Sequence, residues 1–246
     1  MSKITKTALI SIGAGILLCL LAYMLVGGVW TGFNSKGNEY IEESYESGTD
    51  IKELVIDESS NSIIMQSEDT DKITIEYYDN PDSSMYMIEE KDGKLKFKRN
   101  DRKFFKLINI DFTERNIVVT VPSDYKGDMS VEMTSGSLKA DDITADDLKL
   151  DCTSGSIKLN NVKAKGDIDI DCTSGSIKFE NLASGGDIEI DCTSGSVKGT
   201  IDGAKSDYTI RSETTAGSSN LSNTDGGRKK LDVETTAGSI DIEFTK

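Results

Sequence analysis

LKLDCTSGSIKL, residues 148–159, decides the reading of this chain. The same pattern returns as DIDIDCTSGSIKF at 167–179 and DIEIDCTSGSVKG at 187–199. Looser copies flank these three: MSVEMTSGSLKA at 129–140, IRSETTAGSSNL at 210–221 and LDVETTAGSIDI at 231–242. The glycines of the six copies are Gly136, Gly155, Gly175, Gly195, Gly217 and Gly238, spaced by 19, 20, 20, 22 and 21 residues. A fixed period near 20 marks a repeat architecture, and that signal outranks any local secondary-structure preference.

Within a repeat, positions seven and five before the glycine and two after it are mostly apolar, as in Leu148, Leu150 and Ile157. The alternation has period two, which predicts strands with one buried face. Between the strands, Thr-(Ser/Ala)-Gly-Ser predicts a sharp turn. Glycine accepts a left-handed backbone without steric cost, and the hydroxyls can bond the turn's own backbone. The repeat therefore reads as strand, turn, strand and a looser return such as ENLASGG at 180–186. No repeat carries a helical period, and Thr, Ile and Gly are poor helix formers. One unit cannot bury its apolar face alone, but stacking at about 4.8 Å makes a continuous core. The predicted fold is all-β: a β-solenoid-like stack whose six clear coils, from 129 to 242, extend roughly 30 Å.

Ahead of the stack, residues 8–30 carry no charge over 23 positions. As a helix they would measure about 34 Å, enough to cross a hydrocarbon core. No small-x-small cleavage site follows LLCLLAYMLV at 17–26, and Cys19 lacks a lipoprotein context, so an uncleaved transmembrane anchor is expected. Lys3 and Lys6 place residues 1–7 in the cytoplasm and the remainder outside. Residues 31–50 read as a polar spacer with a short helical turn in EYIEESYES, and residues 51–246 as one extracytoplasmic β-repeat domain. ELVIDESSNSIIM at 53–65 reads as a degenerate first copy. Leu54, Ile56 and Ile63 point inward there, and Asn61 stands in the glycine's place and backbone region. KITIEYY at 72–78 and NIVVTVP at 116–122 read as strands, and Asp92-Gly93 as a hairpin turn.

Composition excludes several functions. The chain has no histidine, which removes Ser–His–Asp and Cys–His catalysis and the commonest metal ligand. Phosphate-binding glycine fingerprints are absent from the sequence. Composition leaves a Ser–Lys dyad open, and nothing in the pattern points to one. No catalytic residues are assigned and no enzyme is expected. The net charge of −15 repels nucleic acid.

Four side-chain sets stand out. Cys152, Cys172 and Cys192 recur three before the glycine and read as a ladder of small buried side chains; one disulfide or a metal is the alternative. Four before the glycine stand Glu132, Asp151, Asp171, Asp191, Glu213 and Glu234, and stacked carboxylates repel. Asp169, Asp171, Glu189 and Asp191 are therefore the candidates for Ca²⁺, against neutralisation by water, salt and lysines. Lys139, Lys158, Lys178 and Lys198, three after the glycine, read as a solvated stripe. Finally, KLKFKRNDRKFFK at 94–106 holds seven basic residues and one acid. One reading is the outer face of a hairpin strand. The other is a contact patch for anionic headgroups or an acidic partner, made by Lys98, Arg99, Arg102 and Lys103 with Phe104 and Phe105 as apolar anchors.

The run NIVVTVPSDYKGDMSVEMTSGSLKADDI at 116–143, followed by the TSGSIK units, resembles the putative-adhesin family of β-strand-repeat proteins, also called toast-rack domains. An anchor helix, a spacer and one such domain together are similar to the LiaG-like membrane proteins of Gram-positive bacteria. The resemblance covers residues 51–246. It implies a stacked β fold outside the cell and a link to cell-envelope stress through other membrane proteins. The family supplies no catalytic residues to carry over. Two functions are thus expected: a membrane-anchored interaction or sensing module with protein partners, or a surface adhesin for polysaccharide or cell wall.

Overall fold

The computed structural model describes residues 40–82, 84–100 and 115–246, which contain twenty strands. Seven precede the repeats: β1 (Ile41–Glu46), β2 (Glu53–Glu58), β3 (Ile63–Glu68), β4 (Thr74–Asp79), β5 (Tyr86–Lys91), β6 (Lys94–Arg99) and β7 (Ile117–Pro122). The repeats begin with β8 (Asp128–Ser135), β9 (Leu138–Asp141), β10 (Thr144–Ala145), β11 (Leu148–Ser154), β12 (Ile157–Asn160) and β13 (Lys163–Ala164). They continue with β14 (Ile168–Ser174), β15 (Ile177–Ser184), β16 (Ile188–Ser194), β17 (Val197–Ile201), β18 (Tyr208–Ala216), β19 (Lys229–Ala237) and β20 (Ile240–Phe244). The anchor expected at 8–30 lies outside the described residues. Among the described residues no helix is long and apolar enough to cross a membrane.

The period-two pattern produces two sheets. Strands before each glycine form the first, in the order β5-β6-β2-β8-β11-β14-β16-β19-β18. Strands after it form the second, through β1-β4-β7-β3-β9-β12-β15, and then β17 and β20. Pairing along the repeats is parallel, with Leu148 opposite Ile168 and Ile168 opposite Ile188, and Ile157 opposite Ile177 and Ile177 opposite Val197. Apolar residues therefore fall on apolar residues, and the inward positions from Leu54 to Ile242 join in one core. A third, narrow face was hidden in what read as a loose return: β10, β13 and the end of β15 pair through Ala145, Ala164 and Ser184. Its strands are too short for an alternating pattern to register.

The glycines are required by the stacking itself. A Cβ on Gly155 would lie 1.6 Å from the Gly136 carbonyl oxygen, and one on Gly175 would lie 1.4 Å from that of Gly155. Backbone sits directly on backbone at this corner, leaving no room for a side chain. The first copy is present as expected: Leu54, Ile56 and Ile63 are fully buried, opposite Met129, Val131 and Leu138. Asn61 does occupy the glycine position but does not share the positive φ of Gly136. Its carbonyl oxygen lies 2.8 Å from where a Gly136 Cβ would be, and its side-chain amide donates to the Tyr86 hydroxyl (2.7 Å). The Asp92-Gly93 hairpin is observed, both residues having positive φ between β5 and β6.

Two further features correct the sequence reading. In the segment expected to hold a helical turn at 39–47, Ile41–Glu46 form β1, an edge strand antiparallel to β4. Tyr45 packs against the core there and donates to Glu90 (2.7 Å). The compact unit accordingly begins at Tyr40, eleven residues before the expected start at 51. The rungs also do not follow chain order at either end. The last repeat, β19, lies between β16 and β18, and β2 lies between β8 and the later β6. Inward chemistry explains the first exchange. β19 and β20 bring Leu231, Val233 and Ile240 to the core. The preceding copy keeps Ile210 but offers Ser212 and Ser219 at the other two positions, and these bond one another at 2.8 Å. A coil with hydroxyls at core positions suits the end of a stack, where a capping unit is required.

Candidate functional site: the two outward faces of the stack

Because inward residues alternate with outward ones, each sheet displays columns of like side chains. On the first sheet one column runs Asp57, Glu132, Asp151, Asp171, Asp191, Glu234, Glu213. Asp169 and Glu189 are paired in the neighbouring column, so the structure brings all four candidate Ca²⁺ ligands onto adjacent rungs, β14 and β16. They do not converge: among the described residues no three acidic or cysteine side chains are grouped to hold a metal ion. Lys149 stands in the Asp169 column and reaches Asp169 at 2.7 Å, Asp151 at 3.7 Å and Asp171 at 3.9 Å.

Lys149 offsets only part of the repulsion. Burial, followed by the charges of Asp169 and Asp151, pushes the Asp171 carboxyl above its ordinary range. Burial and the Asp171 charge do the same at Asp191, and the Asp191 charge raises Glu234. A carboxyl with a raised folded pKa holds its proton more tightly when folded, so its repulsion is relieved as pH falls through that pKa. The melting temperature is therefore expected to rise on acidification from neutrality towards the ordinary values of 3.8 for Asp and 4.5 for Glu. Below those values the unfolded chain is protonated too, and stability held by Glu90 and Asp202, whose pKa values are depressed, is lost. Asp171→Asn should stabilise the protein at neutral pH by about 0.5 kcal/mol, the scale of one like-charge cross-strand pair. A denaturant titration at two pH values checks both, and a variant less stable at neutral pH would contradict them.

On the second sheet, Lys139, Lys158, Lys178 and Lys198 align in register through β9, β12, β15 and β17. Two residues further on, Asp141, Asn160 and Glu180 make the opposite column, continued by Thr200 past a register shift between β15 and β17. The two columns wall a groove of about 650 Å³ that crosses the rungs, reaching Asp241 and Glu243 on β20. The terminal lysines are engaged within the protein: Lys139 pairs with Asp141, and Lys198 with Asp241 at 2.8 Å. Lys158 and Lys178 form no ion pair among the described residues. The lysine column was visible in the sequence at glycine plus three. Its facing column at glycine plus five was not, because Asp, Asn, Glu and Thr share no single chemistry.

The corner after that column was also missed. Asp142, Asn161 and Asn181 all have positive φ, near 55°. Asn181 donates to Asn161 and Asn161 to Asp142, each at 2.9 Å. This amide ladder fixes where the second sheet turns into the third face.

Of the basic segment expected as a contact patch, Lys98 and Arg99 lie among the described residues. Lys98 is paired with Asp57. Arg99 is a correction: expected at the surface, it is buried and binds Glu58 at 2.9 Å. Strand alternation turns it inward, beside Tyr86. Arg102, Lys103, Phe104 and Phe105 lie outside the described residues. Cys152, Cys172 and Cys192 are buried and free. The Cys172 thiol is pushed up to about 11: its hydrogen bond to Cys152 favours the thiolate, but the one to Cys192 and burial outweigh it. These three thiols should resist a water-soluble thiol reagent in the native protein and react after unfolding. Two additional thiols appearing only on reduction would reveal a disulfide.

Stacked parallel rungs with period-20 glycine corners define a β-strand-repeat protein. The match to known families is direct: residues 51–246 match the family described as Toastrack DUF4097, and the chain belongs to it. Among solved structures it is similar to a putative cell adhesion protein from Clostridium sporogenes, at 14% identity and a TM-score of 0.52, over 84% of this chain and 100% of the other. A putative adhesin from Bacteroides fragilis is similar at 15% identity and a TM-score of 0.41, over 84% and 98%. No curated protein matches the chain. At these identities the first likeness establishes the fold alone.

Proposed function

We propose that the protein is an extracytoplasmic interaction module, anchored by a helix at 8–30 with residues 1–7 in the cytoplasm, that meets protein partners in the cell envelope and takes part in the response to envelope stress. The observation that carries this reading is the in-register stack, which holds outward side chains at fixed intervals on a rigid frame. Such a frame suits binding, because a preorganised surface loses little freedom when a partner docks. Crosslinking in intact cells followed by recovery of the full chain tests it. An integral membrane protein should be recovered, and should disappear when residues 129–244 are deleted; recovery of wall polysaccharide alone would reject the reading. Resistance to alkaline extraction, with protease access to the β domain from outside the cell, tests the anchor and its orientation. The second reading, a surface adhesin for polysaccharide or cell wall, is favoured by one observation: the lysine-walled groove on the second sheet.

A further inference from the structure

We infer that this groove is a binding site for an acidic oligosaccharide lying along the stack, with its carboxylates on Lys158 and Lys178 and its hydroxyls on Asn160 and Glu180; the inference rests on the adhesin reading. The groove crosses five rungs, from Lys139 to Glu243, or roughly 19 Å at strand spacing. It is therefore shaped for an extended chain. Its centre is where the protein leaves its own cations unused. Lys139 and Lys198 are held by Asp141 and Asp241, while Lys158 and Lys178, both exposed and in register, carry no ion pair among the described residues. Adjacent rungs place these two ammonium groups on stems about 4.8 Å apart at the backbone, so consecutive carboxylates of an extended chain can each meet one.

The opposite wall narrows the ligand class. Glu180 accepts hydroxyl protons, and Asn160 both donates and accepts. A chain bearing only anionic groups would meet Asp141, Glu180 and Glu243 and the overall charge of −15. A chain that alternates carboxylates with hydroxyls satisfies both walls, which is the chemistry of uronic-acid saccharides. Local attraction survives the unfavourable net charge because more distant charges are screened beyond about 8 Å at physiological salt.

Calorimetry on the full chain with trigalacturonate, neutral galactotriose and inorganic phosphate tests the site. Trigalacturonate should bind and galactotriose should not. Phosphate should fail to compete at equal concentration. Lys158→Ser combined with Lys178→Ser should weaken trigalacturonate binding at least tenfold, whereas Lys149→Ser on the other sheet should leave it unchanged. Absent binding, equal binding by the double variant, or phosphate competing as well as the saccharide would each overturn the inference. Sedimentation with purified wall polysaccharide separates the two levels. Retention of both wild type and double variant would reject the groove and keep the adhesin reading; retention of neither would reject both.

Discussion

Gly175→Ala is expected to be among the most destabilising single-methyl changes in the chain, costing about 4 kcal/mol. Two effects add. The residue has φ of +146°, which L side chains rarely adopt, and such strain costs about 1–3 kcal/mol. Its new Cβ would also stand 1.4 Å from the Gly155 carbonyl oxygen, so two rungs must separate where their backbones stack. Forced overpacking of this kind costs about 1–3 kcal/mol more. Gly226→Ala isolates the first effect. Gly226 has φ of +96°, and a Cβ added there would meet nothing within 4 Å, so this variant should lose only about 1 kcal/mol. Denaturant unfolding of the two variants measures the difference. Equal losses would mean that backbone conformation, not rung contact, selects glycine at these corners.

Arg99→Ala is the second large effect, at about 3–5 kcal/mol, because it leaves a buried carboxylate without its cation. Glu58, the last residue of β2, is fully buried. Its Oε1 accepts from the backbone of Ser60 (2.8 Å) and Asn61 (3.0 Å) and from Arg99 (2.9 Å), while Oε2 has no hydrogen-bond partner among the described residues. Glu58→Gln combined with Arg99→Met should recover much of the loss, since the amide oxygen keeps the backbone bonds and no charge remains buried. Chemical unfolding of the single and double variants checks this. A single variant within 1 kcal/mol of wild type, on the scale of exposed pairs, would show that water reaches Glu58.

The frame of this protein was legible because its periodicities are physical. Residues such as Leu148, Leu150 and Ile157 alternate because a pleated strand buries every second side chain, and the glycine spacing records one turn of the stack. Other parts left no such trace. Acid-rich β1 pairs through backbone groups at a sheet edge, which IEESYE does not advertise. Spacing says how far apart two copies lie in the chain and nothing about which lies inside the other, so the exchange of β18 and β19 was legible only in the hydroxyls at Ser212 and Ser219. The acid column was legible as a row of charges. That Lys149 quiets part of it, and that Arg99 turns away from solvent, depends on side-chain reach and on neighbouring strands.

The exchanged rungs bear on how the molecule answers a pull. An ordinary solenoid grasped by its end peels one strand at a time, each release exposing the next. Here the segment nearest the C-terminus is gripped from both sides: β19 between β16 and β18, and β20 between β17 and residues 218–220. Tension on Lys246 must shear two ladders at once before any slack is gained. The outermost rung is instead β18, an internal strand that Lys246 does not load directly.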